Sequence, residues 1–154
     1  MIRPMRQFCT FHVDGLLLGI DVQQVQEVIR YQRMTRVPLA AAAISGLINL
    51  RGQIVTAIDL RKRLGLSPRP AESLPMNVVI RTDDGAVSLL VDEIGDVTHV
   101  DEESFEPPPP TLRGGARALV SGAFKLSQYL LLVLDTAEAV NVAKQDHSKG
   151  ENQP

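Results

Sequence analysis

Few side chains in this sequence could carry chemistry: His12, His99, His147, Cys9, the acidic runs Asp92-Glu93 and Asp101-Glu102-Glu103, and a solitary Arg51-Gly52 step. A histidine serves as acid, base or metal ligand when a second group stands within reach. The three here are scattered. They lack the spacing of a zinc-binding helix, and the sequence has no nucleophile elbow and no glycine loop for phosphate or dinucleotide. They read as surface or packing residues. The acidic runs lack the ligand spacing of a calcium loop and read as a solvated edge. Cys9 lies in an apolar stretch and reads as an inert thiol; as the single cysteine it excludes an internal disulfide and a cysteine-based zinc site. No catalytic residue, cofactor or metal is expected, and the chain does not read as an enzyme.

Short β-strands with tight turns are the elements that must position these groups. Gln7 to Val13 and Leu16 to Val22 flank Asp14-Gly15, a favoured two-residue hairpin turn. Val22, Val25 and Val28 then suit one helical turn, and Glu27 to Tyr31 a strand. Ile44 to Leu50 and Gln53 to Ile58 read as strands meeting at Arg51-Gly52, where a glycine permits positive φ or the close approach of another backbone. Asp59 and Gly65 stand where a helix N-cap and C-cap belong. Asn77 to Thr82 and Ala86 to Val91 form another hairpin, and Asp96 to Val100 a further strand. The stretch from Asp101 to Arg117, with four prolines, reads as a loop that is partly polyproline II. Ala118 to Leu126 and Tyr129 to Leu134 read as strands, and Asp135 to Val142 as a last helix.

The chain repeats itself. SGLINLRGQIVTAID, Ser45 to Asp59, returns 76 residues later as SGAFKLSQYLLLVLD, Ser121 to Asp135. Gly19 to Val28 likewise echoes Ser88 to Val97 at an offset of 69. Two ordered echoes predict two copies of one five-stranded module. The expected domain runs over 6–143, with subdomains at 6–66 and 76–143, a proline-rich linker at 67–75, and a disordered polar tail at 144–154. Each half is marginal alone and must pack on the other. Asp59 and Asp135 recur at helix starts, so capping outranks catalysis for both.

With 154 residues, 44% of them apolar and 22% charged, the chain has ordinary globular proportions. No apolar run approaches the roughly 20 residues that span a bilayer, and a cytoplasmic location is expected. The net charge of −2 is unevenly spread. Met5 to Leu66 holds eight basic and four acidic residues, whereas Met76 to Ala143 holds four basic and eleven acidic ones. Such halves can steer partners in a fixed polarity. The basic half lacks the aromatic interleaving of a nucleic-acid surface. The repeat copy of Arg51-Gly52 is Ser127-Gln128, so the fold alone does not demand the arginine. Two uses fit a guanidinium there: a clamp to the acidic half, or contact with a partner.

INLRGQIVTAIDLRKRLGL (Ile48 to Leu66) resembles the central signature of CheW-type chemotaxis coupling proteins. GIDVQQVQEVI (Gly19 to Ile29), LLVDEIGDV (Leu89 to Val97) and the stretch from Leu119 to Asp135 resemble its other motifs, in order. The resemblance implies an all-β fold of two SH3-like five-stranded barrels and a non-enzymatic adaptor. It implies binding to the regulatory domain of a CheA-type histidine kinase and to the cytoplasmic tip of chemoreceptors, with recruitment to membrane receptor arrays and self-association within them. By position it implies partner contacts at Arg51, Val25, Glu27 and Gly46, with Asn49 and Gly52 completing the Asn-Leu-Arg-Gly turn. The chain departs from the family pattern at Ala40 to Ala43, Thr56 and His99. Three alternatives stand beside it: a β-module of another two-component signalling array, a small-ligand or enzymatic β-barrel, and an SH3-type peptide binder. The second would need a polar pocket and the third an aromatic groove.

Overall fold

Asp14 and Gly15 adopt φ of 47° and 83°, so the first hairpin closes through the left-handed turn that Asp-Gly favours. It joins β1 (Met5–Val13) to β2 (Leu16–Asp21). The Asp21 side chain then accepts from the Gln23 amide at 2.9 Å and caps a 3-10 turn, Val22–Gln24, which redirects the chain into β3 (Val25–Ile29). The computed structural model describes residues 4–142. The polar tail and His147 lie outside them. After β3 come β4 (Ile44–Leu50), β5 (Gln53–Asp59) and α1 (Leu60–Arg63), then β6 (Met76–Thr82), β7 (Gly85–Val91), β8 (Glu93–Asp101), α2 (Gly114–Leu119), β9 (Val120–Lys125), β10 (Leu130–Leu134) and α3 (Thr136–Ala139).

The protein is all-β with short helices, in two five-stranded sheets ordered β8-β1-β2-β10-β9 and β3-β6-β7-β5-β4. This corrects the division into subdomains at 6–66 and 76–143. Neither sheet belongs to one half. The first half gives its hairpin β1–β2 to the sheet of β8, β9 and β10, and the second gives β6–β7 to the sheet of β3, β4 and β5. Raising or lowering each strand number by five turns one order into the other, so the repeat is real but its copies interlace. Each sheet holds one parallel pair where the halves meet: Leu132 opposite Leu18, and Thr56 to Asp59 opposite Val87 to Leu90. The core is shared accordingly. Phe11, Leu18 and Ile20 from the first half pack in one cluster with Val78, Ile80, Leu89 and Leu132 from the second.

A crossing segment covers one edge of each sheet. After β3 the chain crosses to β4, where Thr35 and Leu47 exchange two backbone hydrogen bonds of 2.8 Å. After β8 it crosses to β9, where Glu106 and Ala123 exchange two of 2.9 Å. The recurrent Ser-Gly step exists for this. A Cβ on Gly46 would lie 2.7 Å from the Thr35 carbonyl oxygen, and one on Gly122 would lie 2.7 Å from the Glu106 carbonyl oxygen and overlap the Phe105 ring.

Two expected boundaries move. The stretch from Asp101 to Arg117 is not loop throughout: Glu102–Ser104 forms a 3-10 turn and Gly114–Leu119 is α2, so β9 starts at Val120 rather than Ala118. Gly115 permits this helix, because a side chain there would strike the backbone of Arg63 and Leu64 at the end of α1. The last helix is shorter than 135–142, closing at Ala139, where Arg63 binds its final carbonyls. Asp59 and Asp135 cap helices as expected, accepting from the amides of Arg61 at 2.9 Å and Glu138 at 3.2 Å.

Candidate functional site

The β4–β5 hairpin closes in two residues, with Arg51 at φ 51° and Gly52 at φ 86°. Asn49 stabilises the turn, its Oδ1 accepting from the Gly52 amide at 2.9 Å. Nothing lies within 4 Å of a Cβ built on Gly52, so the glycine serves the left-handed backbone rather than a close approach. Arg51 adopts the same region with a full side chain, a conformation worth roughly 1–2 kcal/mol of strain. The matching β9–β10 connection has the same length, with Ser127 and Gln128 between Leu126, whose amide donates to the Tyr129 carbonyl at 2.8 Å, and Tyr129, and neither of the two takes a positive φ.

The guanidinium of Arg51 donates to Glu27 Oε2. Glu27 lies on β3 and Arg51 follows β4, the two outer strands of one sheet, so the pair spans the seam where the rolled sheet's edges face each other. The clamp expected between Arg51 and the acidic half is not formed: the anion is in the first half. Arg51 is 70% exposed and Glu27 only 19%. Glu27 Oε1 is buried without a hydrogen-bond partner. In the other sheet the matching positions are Ser127 and Asp96, which cannot form such a pair.

The remaining sequence candidates separate. Val25 is half-buried and packs on the main core, opposite Ile80, with a bulge between it and Glu27. Gly46 is buried beneath the crossing segment and is not itself a contact surface. Asn49, Arg51 and Gly52 are exposed together at the hairpin tip. Sequence reasoning missed Ile54, which lies opposite Asn49 in register and is 65% exposed, and Val28, exposed on β3 beside Glu27. At the matching places in the other sheet, Leu130 and Val97 are exposed too, with Tyr129 adjacent. Strand alternation could have pointed to all four.

Two arginines of α1 do structural work that the sequence hid. Arg63 is buried and donates to the carbonyls of Ala139, at 3.0 Å, and Glu138. Burial holds its guanidinium below the usual value. Arg61 is buried and grips Asp92 with Nε at 3.0 Å from Oδ1 and Nη2 at 2.6 Å from Oδ2. Asp92 also accepts from Arg69 Nε at 3.0 Å and the Asp14 amide at 2.7 Å. Asp92 is therefore not part of a solvated acidic edge but the anion that ties β1–β2, α1, the linker and β8 together. Burial alone would push its carboxyl up; hydrogen bonds from Arg61, Asp14 and Arg69 outweigh it and hold the pKa below the ordinary 3.8.

His99 is exposed beside Gln7, and His12 lies opposite Glu93 in the β1–β8 pairing. Cys9 is half-buried, and burial raises its thiol pKa. Among the described residues no three His, Cys, Asp or Glu side chains gather to hold a metal, and no helix is long and apolar enough to cross a membrane.

Known proteins share this architecture. The model of the CheW-like domain family matches residues 7–144. A chemotaxis protein CheW from Bacillus subtilis is 33% identical over 134 residues, covering 87% of this chain and 86% of its own. One from Treponema pallidum is 31% identical over 133 residues, covering 84% and 78%. The crystal structure of scaffolding protein TtCheW from Thermoanaerobacter tengcongensis superimposes with a TM-score of 0.76 at 30% identity, over 86% of this chain and 90% of that one.

Proposed function

The chain belongs to the CheW-like domain family, and on that premise we propose that it couples the cytoplasmic tips of chemoreceptors to a CheA-type histidine kinase. It is a non-enzymatic chemotaxis scaffold. An adaptor without chemistry alters a kinase only by binding its states unequally. The kinase regulatory domain is the partner suited to an exposed apolar strand end. The receptor tip is the partner suited to the charged one. Recruitment to receptor tips would place the chain at the cytoplasmic face of the membrane, in arrays.

One observation carries this reading. The two sheets are built alike, with exposed apolar residues at matching places, Val28 and Ile54 on one and Val97 and Leu130 on the other. Only one of them adds an exposed arginine, held over a half-buried glutamate. The scaffold thus offers two related but unequal surfaces, as a protein with two kinds of partner needs. Glu27 holds Arg51 in place and leaves most of the guanidinium free for a partner's carboxylate or carbonyl.

Calorimetric titration into the regulatory domain of a CheA-type kinase from the same cell, with and without receptor tips, tests the proposal. Saturable binding to the kinase is expected. Arg51→Ala should weaken receptor-dependent coupling while leaving the melting temperature nearly unchanged. The absence of binding to any such kinase from that cell, with or without receptor tips, overturns the coupling role and leaves the family assignment standing.

A further inference from the structure

The basic residues of the first half fall into two classes. Arg6, Arg51 and Arg61 each have a carboxylate, and Arg63 has the carbonyls of α3. Arg30, Arg33 and Arg36 on the crossing segment, and Lys62 on α1, are exposed, and among the described residues none has a carboxylate within ion-pair distance. Lys62 donates only to the Ala42 carbonyl, at 3.2 Å. At the end of the crossing segment an open cleft of about 650 Å³ lies between it and α1, walled by Arg36, Val37, Ala40, Ile44 and Lys62, with no acidic residue in its lining. Leu39 stands on its rim. Leu39 is fully exposed and held at φ 62°, so it combines an apolar side chain in water with a backbone region that L-residues avoid. The fold demands none of this. The crossing segment of the other sheet holds Glu102, Glu103 and Glu106 instead.

We propose that this cleft docks an acidic protein segment with an apolar anchor. A carboxylate of the segment would be held by Arg36 and Lys62, and its anchor would rest on Leu39 and Val37. Arg30 and Arg33, farther along the same segment, extend the positive track along which further acids of the partner lie. Charge complementarity selects the acid, and the planar guanidinium suits a carboxylate. A concave, apolar-rimmed cleft suits a protruding side chain better than a bilayer surface. Single-stranded nucleic acid would need stacking rings, and Tyr31 is the one aromatic on the segment. The proposal does not rest on the coupling role, and its test uses neither kinase nor receptor.

The probe is a fluorescein-labelled, glutamate-rich synthetic peptide with one central phenylalanine, titrated with the whole protein at about 0.15 M salt, where charges are screened beyond about 8 Å, and read by fluorescence anisotropy. Saturable binding is expected. Arg36→Glu should weaken it about tenfold. Leu39→Gly should weaken it about fivefold while raising the melting temperature, since the anchor is lost and the strain relieved. Arg113→Glu, which reverses an exposed cation elsewhere, should change it by less than about twofold at that salt. Equal loss with Arg113→Glu, or no saturation, overturns the proposal. So does tighter, Arg36-dependent binding of polyuridine or phosphatidylserine vesicles, and so does self-association of the protein abolished by Arg36→Glu, which would give the cleft to a second copy.

Discussion

Gly46 separates two meanings of a position. The family resemblance places partner contacts around it, whereas the structure gives it the task of letting the crossing segment reach β4. Gly46→Ala would set a methyl 2.7 Å from the Thr35 carbonyl oxygen and 3.1 Å from the Met34 Cβ. Both neighbours are held close to the main chain, so relief requires the segment to lift. Lifting weakens the two 2.8 Å hydrogen bonds between Thr35 and Leu47, each worth about 1 kcal/mol net. Overpacking of this kind costs about 1–3 kcal/mol, against which the alanine recovers about 0.4–1 kcal/mol through a less flexible unfolded chain. With about 1 kcal/mol added for the two weakened hydrogen bonds, a net loss of about 1–3.5 kcal/mol follows, or a drop of roughly 3–10 °C in melting temperature for a domain of this size. Gly122→Ala, at the matching place in the other sheet, should lose at least as much, because there the methyl meets the Phe105 ring as well. Urea and thermal unfolding of both variants, paired with kinase titration, is the assay. A Gly46→Ala protein that melts with the wild type yet no longer binds its partner would refute the reasoning and return the glycine to the contact surface.

Other perturbations follow from the same geometry. Arg51→Ala should cost about 0.2–1 kcal/mol, the worth of an exposed ion pair, and Arg51→Gly less still, because glycine relieves the left-handed strain; urea midpoints measure both. Arg63→Met should cost about 2 kcal/mol by stranding the α3 carbonyls in a buried site, seen as a lower urea midpoint with an unchanged slope. Asp92 should make stability pH-dependent. Its folded carboxyl has the lower pKa, so its contribution is present above the ordinary value of 3.8 and is lost as pH falls through the folded value. Unfolding at stepped pH should show that slope in the wild type, and Asp92→Asn should flatten it.

The local chemistry of the fold was legible because its causes are local. Asp14-Gly15 and Arg51-Gly52 turn where they must, and Asp59 and Asp135 cap where an aspartate before a helix caps. The repeat was legible, but not its pairing: equal spacing in two copies does not say whether β1–β2 joins its own half or the other. Arg51 was legible as a residue in need of an anion, but Glu27, 24 positions away, emerged only once the sheet rolled β3 towards β4. Nothing local sets Arg61 and Arg63 apart from the exposed Lys62 between them. Their burial depends on Asp92 and α3, which approach from the other half of the chain. Helix α2 was hidden by its two glycines, which weaken helix propensity; Gly115 is there for contact with α1 and Gly114 for a left-handed backbone.

The interlaced sheets bear on how the protein is made. Strand β10 ends at Leu134 yet lies inside its sheet, between β2 and β9. A nascent chain that has released everything up to Leu126 has β2 with no neighbour on that side and β9 with no internal partner. The other sheet can assemble once β7 has emerged, but the shared core still lacks Leu132 and Leu134. Folding on the ribosome therefore waits until β10 has emerged, at roughly 5–20 residues per second. In that interval the apolar hairpin β1–β2 lacks the cover that β10 gives it. A message truncated just before β10 yields a chain with one sheet open, a substrate for proteolysis rather than a half-active scaffold.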